Sequence, residues 1–137
     1  MKFQEDYFQK MQFTPEQIRQ FLASAKHDLT IAKESKVSDV ILIFSYNALI
    51  KIGITLIARN GHRVRSSSGH HIKIIEKMSQ ILKDETIPLL GNKMRRERNQ
   101  NLYDGIAFVG DEVSKEYLVF VEGIFAKAKE LDPEIEL

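Results

Sequence analysis

The residues best suited to chemistry lie in residues 94–105, a polar stretch whose helical spacing gathers several of them on one face. At 100° per residue, Arg95, Asn99 and Tyr103 fall within one narrow sector. Arg98 lies at the border of that sector. Four other polar residues of the stretch are expected to be solvated: Arg96, Glu97, Gln100 and Asn101. A guanidinium that leaves water is costly unless something pairs with it, so this face predicts either a phosphate-binding site or a structural network that ties two helices together.

The charge of the chain is distributed unevenly, although its net value is only +1. Residues 59–98 carry 10 Lys/Arg and 4 Asp/Glu, whereas residues 99–137 carry 3 and 9. The basic segment ends inside the polar stretch. A basic surface attracts phosphates, which favours a nucleotide or nucleic-acid partner. The alternative is that the basic and acidic segments neutralise each other as neighbours in the fold.

Residues 61–69 form a loop rich in glycine, serine and arginine that precedes a pair of histidines. Arg63 and Arg65 could contact a phosphate there, although the Gly-Lys-Ser/Thr ending of a P-loop is missing. The alternative is a plain solvated connection. His70 and His71 open the next helix, where the helix dipole disfavours the imidazolium form. The histidine spacing matches no metal-ligand pattern, so we predict neither a metal site nor a cofactor.

Length and composition indicate one soluble domain. The chain has 137 residues and no cysteine, which excludes disulfides, thiol chemistry and cysteine zinc sites. The first residues contain no apolar signal core, so we expect a cytoplasmic protein. We divide the chain into an N-terminal arm of residues 1–13, a helical domain of residues 14–131 and a tail of residues 132–137.

The first two helices have clear sequence signals. Thr14 and Gln17 form a capping box for a helix that ends near Ser35 or Lys36. A second helix starts at Ser38 and is apolar nearly all round through residue 58, which is typical of a central, buried helix. A membrane span and a pair of strands are the alternatives for this run. Polar residues such as Tyr46 argue against the span, and the uninterrupted length argues against strands.

The rest of the chain predicts three more helices and no strand. One begins at His70, and another begins at residue 89 or 90, after a connection, and ends at Asp104-Gly105. Ser114 caps the last helix, which Asp132-Pro133 stops. Apolar residues every four positions make a short amphipathic helix the expectation for the arm: Phe3, Tyr7 and Met11. The predicted fold class is all-α, an antiparallel bundle of four or five helices around residues 40–58.

Three of these stretches together resemble the HEPN superfamily, the higher eukaryotes and prokaryotes nucleotide-binding domains. Residues 95–105 are similar to the HEPN signature, in which an arginine and a polar residue precede a histidine. Residues 45–51 are similar to the small/aromatic pattern of the second helix, and residues 61–71 to a loop and helix start in some members. The resemblance spans about residues 14–131. It implies a HEPN-like helical bundle that functions as a homodimer.

One residue departs from the signature, and it bears on whether the domain cleaves RNA or only binds it. Tyr103 stands where the signature has histidine. Catalytic HEPN proteins are metal-independent endoribonucleases, in which the RNA 2′-hydroxyl attacks its own phosphate and a group must move protons. A tyrosine, with a pKa of about 10, is a poor base at neutral pH, although it can donate a hydrogen bond or stack on a base. His70 or His71 could supply the imidazole instead.

Three hypotheses follow from the residues and the resemblance. The first is a domain that binds RNA or a nucleotide, including the HEPN member of a toxin–antitoxin or nucleotidyltransferase pair. The second is a homodimeric endoribonuclease, and the third is a non-catalytic structural dimer. The candidate catalytic residues are Arg98, Asn99 and Tyr103, supported by Arg95. The candidate RNA- or nucleotide-binding residues are Arg95, Arg98, Asn99, Tyr103, Arg63 and Arg65.

Overall fold

A computed structural model of the chain describes residues 1–101 and 109–134. Its helices are α1 (Pro15–Glu34), α2 (Ser38–Arg59), α3 (His70–Leu82), α4 (Thr86–Asn99) and α5 (Asp111–Leu131). Two short strands, β1 (Phe8–Lys10) and β2 (His62–Val64), form an antiparallel pair. The predicted all-α class is confirmed, since helices make up most of the described chain.

The apolar helix α2 forms the centre of the bundle, as its composition predicts. It contacts each of the other four helices and β2. Leu42, Leu49 and Ile52 are fully buried, and burial of such side chains supplies most of the favourable free energy of folding. By length and hydropathy α2 could also cross a membrane, but 67% of its most apolar window is buried inside the protein. Core helices of soluble proteins have the same properties.

The boundaries of α1 follow the sequence signals closely. Thr14 Oγ1 accepts a hydrogen bond from the Gln17 amide at 3.1 Å, and Gln17 Oε1 accepts one from the Thr14 amide at 2.9 Å. This capping box satisfies two of the amides that the first turn leaves unpaired. The helix ends at Glu34, with Ser35 as its C-cap. The carboxylate of Asp28, which is almost fully buried, binds Lys51 Nζ at 2.7 Å and so joins α1 to α2.

The N-terminal segment contains a strand, so the predictions of a short helix there and of no strand are both wrong. Phe8 pairs with Val64 and Lys10 with His62, and the amide of Met11 donates to the carbonyl of Gly61 at 2.9 Å. Phe8 is buried in the core, while its two strand neighbours are exposed. Pairing with β2 satisfies the backbone along its length and outweighs the weak helical period of the segment.

Two helix starts also differ from prediction. Helix α4 begins at Thr86 and includes Pro88, because a proline in the first turn removes an amide that has no intrahelical partner. The carboxylate of Asp84 accepts from the Thr86 amide at 2.9 Å and so replaces a conventional cap. Helix α5 begins at Asp111, and Ser114 lies inside it with its hydroxyl donating to the Asp111 carbonyl. The predicted stop at Asp104-Gly105 lies outside the described residues.

Helix α3 lies unusually close to α2, and this proximity determines where its first turn sits. A Cβ added to Gly53, in the middle of α2, would stand 2.7 Å from Cγ2 of Ile74. Only glycine allows this approach without displacing one of the helices. Helix α3 starts at His70 as predicted, after Gly69 adopts a left-handed conformation with φ of 76°. His71, in its first turn, thereby reaches Tyr46 of α2.

Candidate functional site

Three helices bring four polar side chains together in what we call the Arg–Tyr–His cluster (Tyr46, His71, Arg95 and Arg98). Tyr46 comes from the middle of α2, His71 from the first turn of α3, and the two arginines from the last turns of α4. The charges of both arginines act on Tyr46 and on His71. The guanidinium carbon of Arg98 lies 5.7 Å from the centroid of the Tyr46 ring, within the range of a cation–π contact.

The two arginines are half-buried and are held by amides of their own helix. Arg95 Nε donates to Asn92 Oδ1 at 3.3 Å, and Arg98 donates to Asn99 Oδ1 at 3.2 Å. Within residues 1–101 and 109–134, no carboxylate forms a salt bridge with either guanidinium. Two partly desolvated cations one helical turn apart, bonded among the described residues to the neutral side chains of Asn92 and Asn99, are suited to an anionic ligand.

Tyr46 is fully buried and bonds to the imidazole of the cluster. Its Oη lies 2.9 Å from Nδ1 of His71. Burial raises the pKa of the Tyr46 hydroxyl above its ordinary value, and the nearby Arg95 and Arg98 only partly oppose this effect. The hydroxyl therefore keeps its proton at neutral pH and acts as a neutral hydrogen-bonding group.

His71 lies beside the two arginines, and its surroundings keep its imidazole neutral. Burial lowers its pKa from 6.5 to about 4, and the charges of His70, Arg98 and Arg95 act in the same direction. A proton added here would join two cations in a partly dehydrated site. At neutral pH the cluster thus combines two permanent cations with a neutral imidazole.

This low pKa predicts that protein stability falls as the pH falls from 6.5 to about 4. In that window the unfolded chain protonates His71 while the folded chain does not, so protons favour unfolding. Because the ring is partly exposed, solvent screening reduces the effect to about 1–2 kcal/mol. Urea unfolding at several pH values measures it, with His71→Asn as the comparison. An identical pH dependence in both proteins would show that His71 is not responsible.

Glu97 and Asn101 differ from the expectation that this side of α4 is solvated. Both are half-buried, whereas Arg96 and Gln100 are exposed as predicted. Glu97 Oε2 accepts a hydrogen bond of 2.6 Å from Oη of Tyr117 on α5. The amphipathic pattern missed this bond because it depends on where α5 packs. The bond ties α4 to α5 and directs the nearest carboxylate in sequence away from the cluster.

The other predicted site residues lie around the cluster rather than in it. His70 packs edge-to-face on His71 at 4.6 Å, and its Nδ1 contacts the Ser67 carbonyl at 2.9 Å. Arg63 is exposed on β2, and Arg65 Nε donates to the Glu5 carbonyl at 2.8 Å. Neither Arg63 nor Arg65 is among the charges that act on His71. Tyr103 lies outside the described residues.

Sequence analysis assigned no site role to Tyr46, which the structure places at the centre of the cluster. A signal for it was present, because it is a hydrogen-bonding aromatic in a helix that is apolar nearly all round. Its partners belong to α3 and α4, however, so its role depends on tertiary packing. Among the described residues, no group of three or more His, Asp or Glu side chains could hold a metal ion.

The chain was compared with known proteins in three ways. No family model matches it, and neither the curated proteins nor the solved structures contain a significant match. Functional inference therefore starts from the geometry of the cluster and from the sequence motifs that led to it.

Proposed function

We propose that this protein is a HEPN-like domain that binds RNA or a nucleotide, and that the Arg–Tyr–His cluster binds a phosphate group of that ligand. One observation carries the proposal. Arg95 and Arg98 are half-buried one turn apart, and no carboxylate of residues 1–101 or 109–134 pairs with them. A phosphate would pair with both guanidinium groups.

The chemistry of the cluster suits a phosphate ligand. A guanidinium presents a planar set of N–H donors that matches two phosphate oxygens, and it stays charged at every physiological pH. Partial burial strengthens the attraction because it lowers the local dielectric constant. Neutral His71 and the Tyr46 hydroxyl offer hydrogen bonds without cancelling the positive field. The basic segment of residues 59–98, which contains three members of the cluster, would guide a polyanion toward it.

Two partners belong to the same proposal because the HEPN resemblance implies them. One is a second copy of the chain in a homodimer, and the other is a small nucleotidyltransferase-type protein of a toxin–antitoxin pair. Light scattering measures the first directly. A nucleotidyltransferase gene next to the gene for this protein, followed by co-purification of the two products, would test the second.

Ligand binding is tested by thermal unfolding of the purified protein with AMP, with a short single-stranded RNA, and with sodium chloride of equal ionic strength. A ligand that binds only the folded state at about 100 times its Kd adds about 2.7 kcal/mol of stability. We expect RNA or AMP to raise the Tm by several degrees and the salt control to leave it nearly unchanged. If neither raises the Tm at millimolar concentration, the proposal is wrong.

A second candidate function, a metal-independent endoribonuclease, is favoured specifically by the position of His71. In such a reaction the 2′-oxygen attacks phosphorus while its proton passes to the neutral imidazole. The P–O5′ bond then breaks, and the leaving oxygen takes a proton from solvent. Arg95 and Arg98 would stabilise the charge that builds up on the phosphoryl oxygens. Tyr46 would orient the His71 ring through its hydroxyl.

RNA cleavage in EDTA distinguishes this enzyme from a binding domain. If the protein is a nuclease, His71→Asn should reduce cleavage by about 100-fold or more, well beyond its effect on RNA binding. His27→Asn, at an exposed position of α1, is the matched control, and Tyr103→Phe tests the residue at the signature position. If the wild-type protein cleaves no RNA sequence at any pH, the nuclease hypothesis is wrong, and only the binding function remains.

A further inference from the structure

A cavity of about 380 Å³ opens beside the Arg–Tyr–His cluster. It lies between α1, α2, α3 and β2, and His71 lines it while also bonding to Tyr46. The imidazole of His71 thus belongs to both the cluster and the cavity. The volume is within the range of roughly 300–1,000 Å³ that small-molecule sites occupy.

The inside of the cavity is apolar and aromatic. Side chains of α2 and α3 form one part of the wall, including Ile54, Ala58 and Ile74. Phe13 and Phe21 form another part, with their rings edge-to-face at 5.2 Å. A flat heteroaromatic ring gains both dispersion energy and stacking in such surroundings.

The polar residues that line the cavity come from β2, the loop that follows it and the first turn of α3: His62, Arg63, Ser66, His70 and His71. The Nδ1 atoms of His62 and His70 each contact a backbone carbonyl at 2.9 Å, that of Asn60 and that of Ser67. A carbonyl only accepts, so Nδ1 donates in both rings, and Nε2 is left for another partner. No hydrogen bond within the described parts of the chain uses Nε2 of either ring. A ligand could therefore bind here by its polar edge while its ring lies against the phenylalanines.

We infer that this cavity receives the nucleobase of the nucleotide whose phosphate binds the Arg–Tyr–His cluster. The inference rests on the proposed function, because it needs the phosphate at Arg95 and Arg98. A nucleotide requires a site for its base and a site for its phosphate. The mainly apolar cavity suits the base, the two arginines suit the phosphate, and His71 belongs to both sites. A phosphate alone would leave the cavity unused.

The first experiment compares AMP with ribose 5-phosphate, which has the same phosphate and sugar but no base. Isothermal titration calorimetry of the wild-type protein gives both affinities without any substitution. We expect AMP to bind about tenfold more tightly or better, since stacking of one base on aromatic side chains contributes that much. A short single-stranded RNA forms a third arm. Much tighter binding of the RNA than of AMP would identify a nucleotide within a strand as the source of the base.

Ala58→Phe is the matching substitution, because Ala58 is buried in α2 and lines the cavity. The larger ring would fill space that the base needs. Ala126→Phe, at an exposed position of α5, controls for the change in residue type. We expect Ala58→Phe to bind AMP and ribose 5-phosphate about equally, whereas Ala126→Phe keeps the preference for AMP. Thermal unfolding of both variants checks that each is folded.

The outcomes separate this inference from the proposed function. Equal affinity of the wild type for AMP and ribose 5-phosphate would overturn the inference and leave the phosphate site standing. An unchanged preference for AMP in folded Ala58→Phe would also overturn it, because the base would then bind elsewhere. If AMP, ribose 5-phosphate and RNA all fail to bind, the proposed function itself fails.

Discussion

Replacing Arg98 with alanine is expected to weaken RNA or nucleotide binding by about 10- to 100-fold while leaving the protein folded. A hydrogen bond between a guanidinium and a phosphate contributes about 1.5–3 kcal/mol, and partial burial places Arg98 toward the upper end. Among the described residues, Arg98 bonds to Asn99 and makes a cation–π contact with Tyr46, so we expect little folding energy to depend on it. Titration with RNA or AMP, alongside urea unfolding, measures both quantities.

The same helix offers a matched control in Arg96, which is exposed on another side of α4. Arg96→Ala removes an identical charge and should change the affinity by less than about threefold, since exposed charges act through a screened field. Arg98→Lys keeps the charge but loses the planar set of donors, so an intermediate affinity is expected. Equal losses in Arg96→Ala and Arg98→Ala would mean that only the overall charge of the surface matters.

Arg98→Ala also tests the hypothesis of a structural dimer, which the polar motif in α4 left open. If the cluster only fixed an interface, the substitution would change the molecular mass in solution and the Tm. Neither the wild type nor the variant would then bind RNA or AMP. If the cluster binds phosphate, the mass stays constant and the affinity falls. Light scattering of both proteins at several concentrations distinguishes the two results.

The fold was predictable from the sequence to the extent that local interactions determine it. The capping box at Thr14 and the apolar run of α2 depend on neighbours in the chain, so pattern and propensity identify them. The strands β1 and β2 have three residues each, which is too short for a period of two to be visible. Their pairing depends on residues more than 50 positions apart, and nothing local encodes it.

The site was predictable only in part, for a related reason. The helical period placed Arg95, Arg98 and Asn99 correctly on a half-buried face of α4. The helical period of α4 gives no information about the residues of other helices that pack against this face. His71 was considered as a substitute imidazole, but the contact that places it beside Tyr46 arises from the close crossing of α2 and α3. Residues that meet across three helices have no common spacing in the sequence.

Gly53→Ala is expected to destabilise the protein by about 1–2 kcal/mol, although alanine favours helix over glycine by about 1 kcal/mol. The new Cβ would stand 2.7 Å from Cγ2 of Ile74 and 3.3 Å from Cε of Met78. The methionine can rotate away, but Ile74 is β-branched and stiff at χ1 in a helix, so α3 itself must move. The shift would carry His71 away from Tyr46, and ligand affinity should fall along with stability. Urea unfolding and AMP titration measure the two effects.

Gly123→Ala, on the exposed side of α5, is the control for Gly53→Ala. We expect the two substitutions to change the free energy of unfolding in opposite directions. A Cβ there meets nothing within 4 Å, so the same substitution should stabilise the protein by up to about 1 kcal/mol through helix propensity and leave ligand affinity unchanged. Opposite signs for the two variants would establish the close crossing of α2 and α3 as the contact that positions His71. If Gly53→Ala stabilises the protein as Gly123→Ala does, the crossing has room for a methyl group, and another contact must hold the imidazole against Tyr46.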